Sequence, residues 1–357
     1  NLLNLKNKLP TMKFTLYALI ALTQTAKVSS TDASDYGGVE IGNFTSFTSI
    51  AGDYGSVESV VIDLSCPPNQ NIKLPNLMFT IKSGDAADVS SSPSDAVKAT
   101  VNDGVLSFTY NLEAASNSGG GGVQITLPAD ALKKLTISGQ NTAQVLNGFT
   151  SLEHIKANGQ STLTATATSS TSNIQLDADG ESTVDLVSNV NLVTSSGITG
   201  QSTVQVQTPS FKDISVGGQA TLSIDGGIEG GTVQGESTVT VSGDITGMVQ
   251  ATGQSTIEAN TITGTITASK QSSVTTSKTC DDVVTTEQAS CDVESAPSVS
   301  VDATEGRLFS IGSICYNQEG SSETYNDDNF SCGSGLSSTV AIVTASLVAA
   351  AAATQAI

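Results

Sequence analysis

The chain has 357 residues, of which 34 are acidic and 14 basic, so its formal net charge is −20. All the acids lie from Asp32 onward, and the lysines before them leave 10 basic residues, a balance of 10 − 34 = −24 for that stretch. Such an acidic surface excludes binding to nucleic acid or an anionic membrane through a basic patch. His154 is the single histidine and Arg307 the single arginine, so most acid–base mechanisms lack their residues. We expect no enzyme activity, no cofactor and no metal.

The N-terminal residues read as a targeting segment. Met12-Lys13 precedes the apolar run at 14–22, and small residues follow it, which is the pattern of a signal peptide. We therefore predict upstream translated sequence over 1–11, a signal peptide over 12–30 and an N-terminal segment over 31–55. An anchor helix is the alternative, but the run is short for a membrane span.

The C-terminal residues predict a lipid anchor. Residues 340–357 are uncharged and largely apolar, and a polar spacer and small residues precede them. This order is typical of a GPI-attachment signal over 332–357, with Ser331 or Gly333 as the attachment residue. A transmembrane helix is the alternative, although no basic residue follows the run to fix its orientation. The two ends together predict a secreted, GPI-anchored protein of the cell surface.

Five cysteines fit a secretory route: Cys66, Cys280, Cys291, Cys315 and Cys332. Their spacing lacks the close pairs of a zinc site, so we expect disulfides. The last four can form two bridges in any of three connectivities, which leaves Cys66 free. If the chain is cleaved at Ser331, Cys332 leaves with the tail and Cys66 gains a possible partner.

The segment 279–331 holds three of these cysteines and is predicted to be a small cystine-rich cap or stalk. The sequence also contains two N-glycosylation sequons, which begin at Asn43 and Asn329 and become relevant if the chain is secreted.

The central part of the chain repeats one four-residue phrase at a nearly fixed period. The phrase begins at Gly139, Gly159, Gly180, Gly200, Gly218, Gly235 and Gly253, which are 17 to 21 residues apart, and a decayed copy begins at Lys270. Its consensus is Gly-Gln-Ser-Thr, with Glu in place of Gln in two copies. Apolar residues alternate with polar ones around each copy, and this period of two is typical of strands with one buried face.

We therefore predict an all-β chain whose core is a right-handed parallel β-helix with coils of about 17–21 residues. The alternation places the glycine and the serine of each phrase on the inner face, and Gln or Glu and Thr on the outer face. The inner serines could hydrogen-bond from coil to coil or to the backbone. An antiparallel sandwich offers no reason for one phrase to keep one period.

The segment before the repeats contains strand-like runs at 57–64, 77–81 and 101–110, the last with an Asp103-Gly104 turn. Two further apolar runs follow, at 123–128 and 132–139. This order, with the later Gly-x-Ser phrases, resembles the auto-transporter adhesin head GIN domain family over about residues 56–275. The repeat of this family is usually Gly-Ser-Gly-Asp or similar, whereas the repeat of this chain is Gly-Gln-Ser-Thr. The resemblance implies a β-helix domain, placed here at 56–278, and a role in adhesion, with no catalytic residues to transfer.

The outward Gln and Thr side chains are the candidate ligand-binding residues: Gln160, Thr162, Gln201, Thr203, Thr221, Thr238, Gln254 and Thr256. Such an array could bind the hydroxyls of an extracellular polysaccharide or a cell-surface glycan through many weak contacts. The plain alternative is that outward Thr suits strands and outward Gln keeps them hydrated. Self-association is also possible, opposed by the net negative charge.

Two other functions are weaker. A polysaccharide lyase or hydrolase would need paired carboxylates, and Asp177, Asp179, Glu181 and Asp185 are the nearest candidates. No basic residue lies beside them, and His154 fits a surface residue better than a base. An ice-binding face would need two threonine columns, but the column after the first mixes Gln, Thr, Asp, Ser and Glu.

Overall fold

The computed structural model describes residues 47–64, 77–111, 121–146, 148–169, 173–295, 297 and 299. In these residues the chain forms strands and turns, and no helix that could cross a membrane occurs among them. The first thirteen strands are β1 (Thr48–Ser49), β2 (Ser59–Ile62), β3 (Leu77–Ser83), β4 (Asp88–Ser92), β5 (Val97–Asn102), β6 (Val105–Tyr110), β7 (Gly121–Leu127), β8 (Lys134–Ile137), β9 (Thr142–Val145), β10 (His154–Ala157), β11 (Thr162–Ala167), β12 (Asn173–Ala178) and β13 (Thr183–Ser188).

The remaining strands are β14 (Asn191–Val193), β15 (Thr203–Phe211), β16 (Ile214–Val216), β17 (Thr221–Ile228), β18 (Gly231–Gly235), β19 (Thr238–Ile245), β20 (Met248–Gly253), β21 (Thr256–Ile262), β22 (Thr265–Ala268), β23 (Ser273–Thr276), β24 (Val283–Thr285) and β25 (Ser290–Val293). Most of them are short and separated by tight turns.

The strands stack into a parallel β-solenoid of about nine turns, as predicted. One column of parallel strands runs β9-β11-β13-β15-β17-β19-β21-β23-β25. A second column runs β8-β10-β12, continues through single bridges at Ile198, and then runs β16-β18-β20-β22-β24. Each coil takes its backbone hydrogen bonds from the coils on either side, so no crossover helix is needed.

The core lies between the columns and consists mainly of Val, Ile, Leu and Ala. Strand β13 shows the pattern, because Val184 and Leu186 are fully buried while the residues between them are half-exposed. The register places aliphatic residues next to aliphatic residues on adjacent coils. For example, Val184 lies between Leu163 and Val204. A slip of one residue would turn this whole apolar set toward solvent, so the alternation specifies the register.

The N-terminal end of the stack continues both columns through the parallel pairs β3–β9 and β2–β8, and it adds antiparallel pairs that the repeats lack. Strands β5 and β6 form an antiparallel hairpin, and the predicted turn is confirmed, with positive φ at Asp103 (49°) and Gly104 (76°). Strand β4 pairs antiparallel with β7, and β1 pairs antiparallel with β4, two strands that the sequence analysis did not predict. The rings of Phe79 and Phe108 meet edge to face there, with centroids 5.1 Å apart. We call the described residues of this region, 47–64, 77–111 and 121–127, the N-terminal cap.

The solenoid extends through Val293, beyond the boundary that the sequence analysis placed at residue 278. Strand β24 pairs in parallel with β22, and β25 pairs in parallel with β23. A disulfide joins Cys280 to Cys291, with Cα atoms 6.1 Å apart, and ties the last described coil together. Several predicted features lie outside the described residues: the signal peptide, the lipid-anchor signal with Ser331 and Gly333, the sequons at Asn43 and Asn329, and Cys66, Cys315 and Cys332.

Candidate functional site

The repeated phrase forms a corner of the coil, where the chain turns into the strands of the first column. The glycine that opens it has positive φ, for example 68° at Gly159, 75° at Gly180 and 73° at Gly200. The next residue donates its backbone N–H to the glycine carbonyl one coil earlier, at 2.6–2.9 Å along the stack. A Cβ at Gly200 would lie 2.5 Å from the Gly180 carbonyl oxygen, so the coils leave no room for a side chain.

The prediction that these glycines lie on the inner face is wrong. They lie at the corner and are half-buried or exposed. Their left-handed conformation ends the strand, so the alternation of inward and outward side chains does not continue through them. Their role is to turn the chain and to accept a hydrogen bond from the next coil.

The serine of each phrase does lie inside, as predicted. Ser161, Ser182, Ser202, Ser237, Ser255 and Ser272 are each at most 1% exposed, and Ala220 is fully buried in the same column. The hydroxyl of Ser202 donates to the carbonyl of Thr199 at 2.8 Å, and Ser237 and Ser272 make the same bond three residues back. These bonds close the corner within one coil, and the Ser272 hydroxyl also donates to the carbonyl of Ala251 on the preceding coil at 3.4 Å.

The second residue of each phrase forms a line of amide and carboxylate side chains along the outside of the corner. We call this line the glutamine ladder; it comprises Gln140, Gln160, Glu181, Gln201, Gln219, Glu236, Gln254, Gln271 and Gln288. Gln140 donates from Nε2 to Oε1 of Gln160 at 2.7 Å, and Gln160 donates to Oε2 of Glu181 at 2.8 Å. The pattern repeats from Gln201 to Gln219 to Glu236, at 3.1 and 2.9 Å.

All these bonds run in one direction, from the N-terminal coil to the C-terminal one. Each glutamate accepts from the coil before it but has no N–H to pass on, so it ends a segment. The last segment runs from Gln254 to Gln271 to Gln288, at 3.0 and 3.2 Å, and contains no carboxylate. The ladder is thus divided into three segments of three coils.

Gln288 belongs to a ninth copy of the phrase that the sequence analysis missed. Its sequence is Glu287-Gln288-Ala289-Ser290, in which the opening glycine, the serine and the threonine are all replaced. Ser290 nevertheless pairs in register with Ser273, and Gln288 donates its backbone N–H to the carbonyl of Lys270 at 2.9 Å. Only the glutamine and its spacing identify this copy in the sequence, since Gln288 follows Gln271 by 17 residues.

Beside the ladder runs the threonine column, the fourth residue of each phrase and the first of each strand: Thr142, Thr162, Thr183, Thr203, Thr221, Thr238, Thr256, Ser273 and Ser290. The candidates Thr162, Thr203, Thr221, Thr238 and Thr256 are half-buried and share one face with the exposed Gln160, Gln201 and Gln254. Thr142 departs from the predicted outward placement, because it is only 5% exposed.

The next outward column is mixed, as expected, and the register aligns Asp185 with Gln205, and Thr240 with Glu258. Together the ladder, the threonine column and this mixed column form a polar surface that we call the ladder face. It carries carboxylates at Glu181, Asp185, Glu236 and Glu258. A flat, uncharged face of paired threonine columns is therefore not formed.

Three of the four acids considered for catalysis, Asp177, Asp179 and Glu181, have separate structural partners. Glu181 belongs to the ladder, and Asp185 lies two residues along its strand from Thr183. Asp179 accepts a hydrogen bond from the Thr199 hydroxyl at 2.6 Å, which, with the Gly180 amide, lowers the pKa of Asp179. Asp177 lies under a turn of the next coil, only 3% exposed.

Asp177 holds that turn by a set of hydrogen bonds. Its Oδ1 accepts from the backbone N–H groups of Ser195 (3.1 Å), Ser196 (2.8 Å) and Gly197 (3.3 Å). Its Oδ2 accepts from the Ser195 hydroxyl at 2.5 Å and lies 2.9 Å from Nε2 of His154. Burial acts to raise the pKa of Asp177, but these bonds outweigh it and hold the pKa well below the usual range. His154 is therefore a structural partner of a buried carboxylate rather than a solvated surface residue.

Within the described residues, no three His, Cys, Asp or Glu side chains are grouped so as to hold a metal ion. An open, shallow groove of about 380 Å³ lies at the last three coils of the ladder. It is lined by Gly253, Gln254, Lys270, Gln271, Glu287 and Gln288.

Crystal structures similar to this chain include two that share one description. One is of a "putative adhesin" from Parabacteroides merdae ATCC 43184, with 14% sequence identity, coverage of 70% of this chain and 95% of the other, and a TM-score of 0.38. The second, with the same description, is from Parabacteroides distasonis ATCC 8503, with 14% identity, the same coverages and a TM-score of 0.29. No protein-family model and no curated protein matches the chain. The likeness to the head GIN family therefore stays a prediction, and similarities this distant carry no information about a ligand.

Proposed function

We propose that this chain is a non-enzymatic, adhesin-like or structural protein of the cell surface, and that its ladder face binds saccharide hydroxyls. The observation that carries the proposal is the glutamine ladder itself. Its amides are ordered from coil to coil by bonds of 2.7–3.2 Å, yet they lie at the outside of the corner. A binding surface that is already ordered loses little side-chain freedom when a ligand arrives.

The chemistry of the ladder suits hydroxyl groups. An amide NH₂ has two donors, and the bond to the next coil uses one of them, while a carbonyl oxygen can accept twice. The neighbouring threonine hydroxyls both donate and accept. A polymer of sugars can make the same weak contact at successive coils about 4.8 Å apart, and repetition then supplies avidity.

The structure supports the two alternative functions, a polysaccharide-cleaving enzyme and an ice-binding protein, less well than saccharide binding. A glycosidase needs two carboxylates facing one bond, whereas Asp177, Asp179 and Glu181 are engaged with three different sets of neighbours. An ice-binding face is opposed by the carboxylates of the ladder face. Secretion and a lipid anchor complete the proposal and rest on the two ends of the sequence.

The test is retention of the protein on saccharide surfaces. The full chain, made through the secretory pathway with its disulfide intact, is coupled to beads and passed over immobilised neutral and acidic polysaccharides and over cells. We expect saturable retention that falls at least tenfold when Gln201, Thr203, Thr238 and Thr256 are all changed to Lys.

A matched control changes the same residue types on the second column. Thr232, Gln250, Thr265 and Thr267 lie on β18, β20 and β22, and the same four changes to Lys there should leave retention within about twofold. Both variants should keep the far-ultraviolet circular dichroism of the unaltered chain. Absence of retention on every surface, or an equal loss in both variants, contradicts binding through the ladder face.

A further inference from the structure

The groove at the C-terminal end of the ladder has an identifiable origin. At seven corners the phrase opens with glycine, and the corner carries no side chain at that position. At the last two described corners the position is held by Lys270 (φ 63°) and Glu287 (φ 59°), which keep the left-handed conformation of the glycines. Their side chains line a groove together with Gln254, Gln271 and Gln288.

The lining of this groove differs chemically from the rest of the ladder. Its three ladder residues are all amides, whereas each of the two earlier segments ends in a glutamate. Lys270 adds an ammonium group with three donors, and Glu287 adds a carboxylate acceptor, so the charges in the lining sum to zero. Donors and acceptors of both kinds thus line one shallow, open groove.

We propose that this groove is the saccharide subsite of the ladder, that it takes a neutral sugar residue, and that Lys270 and Glu287 determine its specificity. The inference rests on the proposed function and adds the position and the ligand class. An acidic sugar would meet Glu287 as well as Lys270 and would approach a chain of net charge −20. A neutral sugar can accept from Lys270 and the amides and donate to Glu287 without an unpaired charge.

The decisive variant is Lys270→Gly combined with Glu287→Gly. It restores the residue found at the other seven corners, and glycine is favoured where φ is positive, so the fold is kept while the side chains lining the groove are removed. Soluble neutral β-glucan, neutral mannan and polygalacturonate serve as probes, and binding to the full chain is measured by calorimetry.

We expect the unaltered chain to bind at least one neutral polymer and to bind polygalacturonate at least tenfold more weakly. The double glycine variant should lose at least tenfold in affinity for the neutral polymer. The matched control on the second column, Thr232→Ala with Gln250→Ala, should lose no more than about twofold. A Glu287→Lys variant should gain affinity for polygalacturonate.

The outcomes separate this inference from the proposed function. If the double glycine variant binds like the unaltered chain while Gln201→Ala with Gln219→Ala in the middle segment weakens binding, the subsite is overturned and saccharide binding by the ladder stands. Preferential binding of polygalacturonate by the unaltered chain overturns the neutral specificity. If no probe binds the unaltered chain, both the subsite and the saccharide-binding function are overturned.

Discussion

The N-terminal cap and the repeats contribute to one sheet but are stabilised in different ways. The cap continues both parallel columns through β3 and β2, and it adds antiparallel pairs and a ring contact between Phe79 and Phe108, each of which occurs once. The repeats use one corner, one buried serine column and one aliphatic core pattern many times. A contact in the cap therefore has no substitute, whereas a loss in the repeats is confined to a coil and its neighbours.

The largest expected effect comes from the cap. Phe79 is fully buried, so Phe79→Ala should lower the free energy of unfolding by about 3–5 kcal/mol. Phe211→Ala is the matched change in the repeats, where that ring is also fully buried, in register with Leu192 and Ile228. We expect Phe79→Ala to lower the free energy of unfolding by about 1 kcal/mol more than Phe211→Ala, because it also removes the edge-to-face contact with Phe108. Equal losses in urea denaturation would contradict the special place of the cap.

The next effect concerns a contact that occurs once within the repeats. Asp177→Ala removes the acceptor for three backbone N–H groups and one hydroxyl, and should cost about 2–3 kcal/mol. Amide hydrogen exchange at Ser195–Gly197 should quicken most. Asp179→Ala, which removes the acceptor for the hydroxyl of the half-buried Thr199 and for the Gly180 amide, should cost less.

The same carboxylate predicts a dependence on pH. The pKa of Asp177 is lowered on folding, so its contribution is present above the unfolded value of about 4 and is lost as pH falls toward the folded pKa. Denaturation between pH 6 and pH 2.5 should show the difference between the unaltered chain and Asp177→Ala shrinking below about pH 4. A difference that stays constant over this range would show that the charge is not involved.

Substitutions at two equivalent corner positions, Gly200 and Lys270, should change the stability of the fold in opposite directions. Gly200→Ala places a Cβ against the carbonyl of Gly180 at positive φ, and should destabilise the fold by about 1–3 kcal/mol. Lys270→Gly should stabilise it by about 0.5–1 kcal/mol, because a residue that resists positive φ is replaced by one that accepts it. Thermal unfolding of the two variants would reveal the sign, and a loss in both would mean that the side chain of Lys270 supports the fold.

The smallest effect separates two serines of one column. Ser202→Ala loses a buried hydrogen bond to Thr199 and should cost about 1 kcal/mol. The buried hydroxyl of Ser161 has no hydrogen-bond partner among the described residues, so Ser161→Ala should be neutral or slightly stabilising. If the two substitutions lower the free energy of unfolding equally in urea denaturation, the hydrogen bond to Thr199 is not the source of the stability that Ser202 provides.

Much of the fold could be predicted because the pattern that specifies it is local. Alternation in β13 and its equivalents specifies strands, and the return of one phrase every 17–21 residues specifies that the strands stack in parallel. The glycines were misplaced because alternation describes strands and carries no information about positive φ at a corner. Strands β1 and β4 were missed because they are short and polar, and they are specified by the edge with which they pair.

The candidate site could be predicted only in outline. The columns of Gln and Thr follow from the period, since equal spacing places equivalent residues one above another. The direction of the ladder bonds, its division at Glu181 and Glu236, and the pairing of Asp177 with a turn some 18–20 residues later could not follow. These contacts join different coils, and their geometry depends on how closely the coils approach.

The sequence by itself determined that this chain is an acidic, all-β protein with stacked coils and a buried small-residue column, because burial and spacing act along the chain. The tertiary structure decided which surface those coils present: an ordered amide line, a covered Asp177, and a groove where Lys270 and Glu287 replace glycine. The physical reason is that a hydrogen bond between coils requires distance and direction, and both are established only when one coil rests on the next.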